Sequence, residues 1–122
     1  MPPNEPVLLI EDNEGLREAL ARLLEARGYE VVRARDGQEG WEYLERGGCA
    51  SVIVLDILMP RLDGRLFRKK QLERKECASI PVVVFTATQA EMPDAVAVIR
   101  KTDPKSLLDT IDRAASVPAL TD

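Results

Sequence analysis

Hydrophobic and polar positions alternate between two kinds of segment: short unbroken apolar runs, and longer stretches with helical spacing. The first run is Val7-Leu8-Leu9-Ile10. Leu16, Leu20, Leu23 and Leu24 then recur at helical intervals, and Gly28 suits the helix stop. Val31-Val32 predicts a short strand. Asp36 and Glu39 form an N-cap and capping-box pair ahead of Trp41 and Leu44, although Gly40 inside that helix costs about 1 kcal/mol against alanine. Val52-Ile53-Val54-Leu55 has the branched, continuous apolar character of a strand covered on both faces. Gly64 to Glu76 is highly charged and predicts a helix whose thin apolar stripe is Leu66, Phe67 and Leu72. Pro81 opens the strand Val82-Val83-Val84-Phe85, where a missing N–H is tolerable, and Val96-Ala97-Val98-Ile99 is a further strand. Asp103-Pro104 marks a helix start, with Leu107, Leu108, Ile111, Ala114 and Ala115 on one face.

This order predicts an α/β fold: a parallel sheet with helices on both faces, doubly wound by right-handed crossovers. Ligands of such sheets lie beyond the carboxyl ends of the strands, near the switch in strand order. The expectation is a single domain over 1–122, with its core at about 6–116. Met1–Glu5 and Pro118–Asp122, rich in proline and polar residues, are expected to be flexible ends.

Composition narrows the function. With 122 residues, 45% hydrophobic and 31% charged, the chain has the make-up of an ordinary soluble globular domain with one core. A formal charge of −4 and the lack of a basic run argue against nucleic acid as a partner. No apolar stretch approaches a membrane span, and Met1 to Pro6 lacks the pattern of a signal peptide. Cys49 and Cys77 form no CxxC pair and read as reduced thiols, so a cytoplasmic location is expected. The chain has no histidine, which excludes a histidine-based triad, a histidine zinc site and a phosphohistidine of its own.

Acidic residues stand at two strand ends. Glu11-Asp12 follows the first strand and Asp56 follows the third, so in a parallel sheet the three carboxylates reach one edge. Packed like charges raise one another's pKa unless a cation neutralises them, and hard oxygen ligands suit Mg²⁺. Helix capping alone accounts for one acid near Glu14, but not for acids at two strand ends. Thr86 ends the fourth run and Lys101 lies just beyond the fifth. A carboxylate nucleophile, a divalent cation, a hydroxyl donor and a fixed cation are the parts that phosphoryl transfer requires.

The chain resembles a response-regulator receiver domain over nearly its whole length. The resemblance rests on Leu9-Ile10-Glu11-Asp12, on Val54-Leu55-Asp56-Ile57-Leu58-Met59-Pro60 with Asp63-Gly64, on Val84-Phe85-Thr86-Ala87, and on Lys101. It implies a flavodoxin-like five-stranded parallel sheet in the order 2-1-3-4-5. It also implies that Asp56 takes a phosphoryl group from a histidine kinase or histidine phosphotransfer protein, forming an acyl phosphate in a two-component signalling system of bacterial type. Asp12 and Asp56 would bind Mg²⁺ directly with the main-chain carbonyl of Leu58, Glu11 acting through water and Mn²⁺ able to substitute. Thr86 and Lys101 would each meet a phosphoryl oxygen. Met59-Pro60 and Asp63-Gly64 would shape the following loop, small Ala87 would leave room for the donor, and Leu58 and Thr88 would tune hydrolysis. No enzymatic activity beyond the chain's own phosphorylation and dephosphorylation is implied, and no membrane contact.

The sequence departs from the family pattern in three places. Thr86 and Lys101 are closer than usual by about two helical turns, and Ala87 through Ala95 contain Pro93 and no apolar stripe. The helix joining the fourth strand to the fifth, the family's fourth, is therefore expected to be missing or reduced, leaving a mobile connection through which the signal is read. Thr102 follows Lys101 where the family usually has proline; a cis bond there would cost about 2.5–4 kcal/mol, so trans is expected. Val98 stands where many receivers carry an aromatic ring that couples to the threonine.

Two other readings compete. A degenerate receiver would keep the fold and act as a phosphorylation-independent interaction module; Val98, Thr102 and the lost helix favour it, while the intact acids, Thr86 and Lys101 oppose it. A hydrolase using Asp56 as nucleophile would usually need a second acid two residues on, where this chain has Leu58.

Overall fold

A computed structural model of the chain describes residues 5–57, 63–87, 92 and 95–116. Along them run β1 (Val7–Ile10), α1 (Glu14–Ala26), β2 (Val31–Ala34), α2 (Gly37–Glu45), β3 (Val52–Leu55), α3 (Gly64–Glu73), β4 (Val82–Thr86), β5 (Ala97–Arg100) and α4 (Pro104–Ser116). All strand pairs are parallel and the sheet order is β2-β1-β3-β4-β5. This is the doubly wound, flavodoxin-like sheet.

Alternate residues of the central strands feed two cores. Leu8, Ile10, Ile53, Leu55, Val82 and Val84 pack with Trp41 and Leu44 of α2 and Phe67 of α3. Val7, Leu9, Val52, Val54, Val83 and Phe85 pack with α1 and α4. Because β1, β3 and β4 are covered on both faces, their sequences read as unbroken apolar runs. Helix starts are set by side-chain caps: Asn13 accepts from Leu16 N–H, Asp36 from Glu39 N–H, Asp63 from Leu66 N–H and Asp103 from Ser106 N–H. Gly28 takes a φ of 95° just past α1, as its predicted stop requires. Gly40 has a steric reason to be glycine: a Cβ there would stand 2.5 Å from Ile10 Cδ1 and 2.9 Å from its Cγ1, so its absence lets α2 lie close on β1.

Several expectations shift. β2 extends to Ala34, β5 starts at Ala97 rather than Val96, and α3 ends at Glu73 rather than Glu76. On α1, Leu23 is exposed and Arg17 occupies the buried stripe with Leu20, Ala21 and Leu24. On α3, Leu66 and Leu72 are exposed, and the buried side is Gly64, Phe67, Arg68 and Gln71. Gln71 is fully buried. Its Nε2 donates to the carbonyls of Cys77 (2.8 Å) and Ile80 (3.0 Å), and its Oε1 accepts from Arg68 Nη1 at 2.7 Å. A polar clasp thus ties α3 to the segment leading into β4, which an apolar count does not detect.

Among the described residues no helix lies between β4 and β5. Met92 and Ala95 pack into the core on the α2–α3 side. The four helices of the described residues fit a fourth helix of the family that is missing or reduced. Leu58, Met59-Pro60, Thr88, Pro93 and most of the expected mobile connection fall outside the described residues. Val98 is exposed, and the described residues include no cis peptide bond, so Lys101–Thr102 is trans.

Gln71→Leu keeps the volume but leaves two carbonyls without their donor. It is expected to lower the unfolding free energy by about 2–4 kcal/mol, with little change in the urea m-value. A urea midpoint equal to wild type would show that the clasp contributes nothing.

Candidate functional site

The register Ile10↔Leu55 between β1 and β3 places the next residues, Glu11 and Asp56, side by side at the carboxyl edge of the sheet. One oxygen each of Glu11, Asp12 and Asp56 lies within 4.8 Å of the others. Glu11 and Asp56 are buried and Asp12 is exposed. On the other side of Asp56, Thr86 pairs with Arg100, and Lys101 N–H continues the ladder to the Thr86 carbonyl at 2.9 Å. From there the Lys101 side chain crosses back over β4. Its Nζ stands 2.7 Å from Asp56 Oδ2, 3.0 Å from Glu11 Oε1 and 3.2 Å from Glu11 Oε2. Thr86 is wholly buried at the same edge.

These contacts set the electrostatics. Burial pushes the Glu11 carboxyl above its ordinary range, and the opposing pull of the Asn13 N–H and of Lys101 does not cancel it. For Lys101, burial works to lower the pKa, but the bonds to Asp56 and Glu11 outweigh it and hold the ammonium above its usual value. Lys101 brings one positive charge to three carboxylates. A hard divalent cation of the Mg²⁺ type fits what remains, since the donors are all oxygens and converge from two strand ends.

Of the expected site residues, Glu11, Asp12, Asp56 and Lys101 are brought together, and Thr86 lies beside them on β4. Leu58 is outside the described residues. Ala87 is exposed at the rim. Gly64 has a sharper role than shaping a loop: its N–H donates to the Ile57 carbonyl at 2.9 Å. A Cβ there would overlap the Asp56 carbonyl oxygen and stand 2.6 Å from Ile57 Cα. The start of α3 is therefore seated on the backbone that carries Asp56. Sequence reasoning missed Arg17, whose Nη1 donates to the Glu11 carbonyl at 3.1 Å from within α1. The available signal was a charged residue on an otherwise apolar stripe, one turn after the acidic pair.

Because the Lys101 pKa is raised on folding, its contribution to stability is fully present below the ordinary 10.5 and is lost as pH climbs through the folded value. Without added divalent cation, the stability gap between wild type and Lys101→Met is expected to hold steady between about pH 8 and 10 and to shrink above that. A gap unchanged at high pH would mean the ammonium is not what holds the site together.

Comparisons with known proteins converge on one family. A family model described as the response regulator receiver domain matches residues 7–112. The chain is 37% identical over 86 residues to the response regulator Rre1 of Synechocystis, covering 68% of this chain and 37% of that protein. It is 34% identical over 90 residues to the sensory transduction protein RegX3 of Mycolicibacterium smegmatis, covering 74% and 38% respectively. The match to the sensor kinase/phosphatase CqsS of Vibrio cholerae is 34% over 98 residues, covering 77% of this chain and 13% of that protein. The chain thus spans less than two fifths of the length of these relatives. The receiver domain of a signal transduction histidine kinase from Syntrophus aciditrophicus superimposes with a TM-score of 0.84 at 25% identity, covering 97% of this chain and 95% of that one. The receiver domain of the hybrid histidine kinase CckA gives 0.74 at 30% identity, covering 90% and 98%. The chain belongs to the response regulator receiver domain family, the signalling domains of two-component systems.

Proposed function

We propose that Asp56 is a phosphoacceptor and that the chain signals through the change its phosphorylation brings. The observation that carries this reading is Lys101 Nζ held between Asp56 and Glu11, at 2.7 and 3.0 Å, across the rim of the sheet. The donor is a phosphohistidine on a histidine kinase or phosphotransfer protein, and it lies outside these residues because they include no histidine. An Asp56 carboxylate oxygen attacks phosphorus as the P–N bond breaks; the electron pair leaves with the imidazole, and the product is an acyl phosphate.

Lys101 then pairs with one phosphoryl oxygen, and the Thr86 hydroxyl donates to another. The chemistry asks for in-line placement and neutralised oxygens rather than a base, and rigid strand ends meet that need. Asp12 and Asp56 would hold Mg²⁺, with Glu11 through water and the main-chain carbonyl of Leu58, a residue outside the described ones. When bound, the cation supplies neutralisation of the phosphoryl oxygens, and Mn²⁺ would serve in its place. The chain acts on no other substrate; it forms and loses its own phosphoryl group, in the cytoplasm of a bacterial cell. The change in shape is read by a protein target.

A constitutive interaction module is the second reading, favoured by Val98, an exposed valine where a switching aromatic ring would stand. Acetyl phosphate separates the two. With Mg²⁺, wild type is expected to gain the mass of one phosphoryl group, while Asp56→Asn gains none. A wild type left unmodified under every phosphodonor and cation would return the chain to the second reading.

Gly64→Ala tests how tightly the acceptor is placed. Overlap with the Asp56 backbone forces a shift, expected to cost about 1–3 kcal/mol of stability and to slow phosphorylation about ten- to a hundredfold. Phosphorylation at the wild-type rate would show that the α3 start does not set the nucleophile's position.

A further inference from the structure

β1 ends at Ile10, and the Glu11 N–H makes a last ladder bond to the Ala34 carbonyl at 3.0 Å. The Glu11 carbonyl lies past the ladder on a residue that is buried, where an unpaired backbone oxygen is costly. Arg17 meets it from α1 at 3.1 Å. That guanidinium is itself buried, and its Nε is 3.6 Å from Glu18 Oε2. Glu18 in turn accepts from Arg33 Nε of β2 at 3.0 and 3.1 Å, and Arg33 reaches Glu25 at 3.2 Å. A chain of alternating charges thus runs from β2 across α1 to one peptide oxygen.

That oxygen belongs to the peptide joining Glu11 to Asp12. Fixing it fixes the plane of the peptide, and with it the position of the Asp12 Cα from which that side chain leaves the backbone. The Glu11 carboxylate is held separately, by the Asn13 N–H at 3.0 Å and by Lys101. Asp12 is exposed, so its placement depends on the backbone beneath it.

We infer that Arg17 is a positioning residue for the divalent-cation site: by clamping the Glu11–Asp12 peptide it aims the Asp12 carboxylate at the space shared with Glu11 and Asp56. This inference rests on the reading of these acids as a Mg²⁺ site. It has a sign that separates it from simple electrostatics. A buried positive charge beside a cation site repels the cation, so if charge alone mattered, removing Arg17 would tighten Mg²⁺ binding. A positioning role makes removal weaken it.

The test is Mg²⁺ titration by calorimetry of wild type, Arg17→Met and Arg17→Lys, with thermal unfolding in a chelator to establish that each variant is folded. Arg17→Met is expected to bind Mg²⁺ at least about tenfold more weakly than wild type, the loss typical of outer-shell partners of metal ligands. Arg17→Lys keeps the charge but not the planar fork that joins the carbonyl to Glu18, and is expected to fall between the two. Folded Arg17→Met with equal or tighter Mg²⁺ binding overturns the inference. If Arg17→Met does not fold, Arg17→Lys decides: weakened binding supports the inference and wild-type binding overturns it. A wild type that binds no Mg²⁺ overturns the site reading and this inference together, whereas unchanged affinity in a variant of a binding wild type overturns the inference alone.

Discussion

Two buried carboxylates, one at the end of β1 and one at the end of β3, face each other at the rim of this sheet, and a lysine from β5 stands between them. With their nearest oxygens no more than 4.8 Å apart, two such charges repel by at least about 3–4 kcal/mol at an effective dielectric constant of about 20. The Lys101 ammonium at 2.7 and 3.0 Å offsets that repulsion. Adjacent strands lie about 4.8 Å apart, so Lys101 works over Thr86 and across two strand spacings to Asp56 and three to Glu11. The arrangement depends on the order β2-β1-β3-β4-β5. Any order that moved β3 away from β1, or β5 beyond the reach of a lysine, would leave acids without their cation.

The fold was legible because burial on both faces writes itself as unbroken apolar runs, and because caps such as Asn13, Asp36, Asp63 and Asp103 are local chemistry. The acids at strand ends were legible for a topological reason: in a parallel sheet every strand ends at the same edge. What escaped was long-range packing by polar groups. Gln71 and Arg68 bury the side of α3 where an apolar stripe was sought, while Leu66 and Leu72 turn to solvent. Arg17 does the same on α1, displacing Leu23 from the buried stripe. A hydropathy pattern scores such residues as surface, because it cannot see the carbonyl that each is bonded to. Glycine was read at half value for the same reason. Gly64 and Gly40 matter for the atoms that would collide with a Cβ, and those atoms lie in other elements of the fold.

With no helix between β4 and β5 among the described residues, the acids still converge at the rim. β4 remains buried along its length, and Thr86 and Lys101 keep their ladder contact although the chain between them is short. The register between β4 and β5 alone sets where Lys101 emerges, so a connecting helix is not required to aim it. Val98, on the sheet face that the helix would help to cover, is exposed instead. On the proposed reading, acceptor geometry and output geometry are therefore separable in this fold.

That separation bears on how a charge placed at the rim is felt elsewhere. On the proposed reading, a phosphoryl group on Asp56 competes with Glu11 for the Lys101 ammonium. Glu11, whose pKa burial already raises, then loses part of the interaction that compensates its charge. Its carboxylate also accepts from the Asn13 N–H, at the first turn of α1, and its carbonyl is held by Arg17 further along that helix. A shift in the Lys101–Glu11 contact is thus passed directly to the β1–α1 turn and, through Glu18 and Arg33, to β2. On that reading, with valine in place of the usual aromatic partner on β5, the acidic turn and its arginine are a second mechanical connection to the acceptor, on the opposite side of the sheet order from β4 and β5.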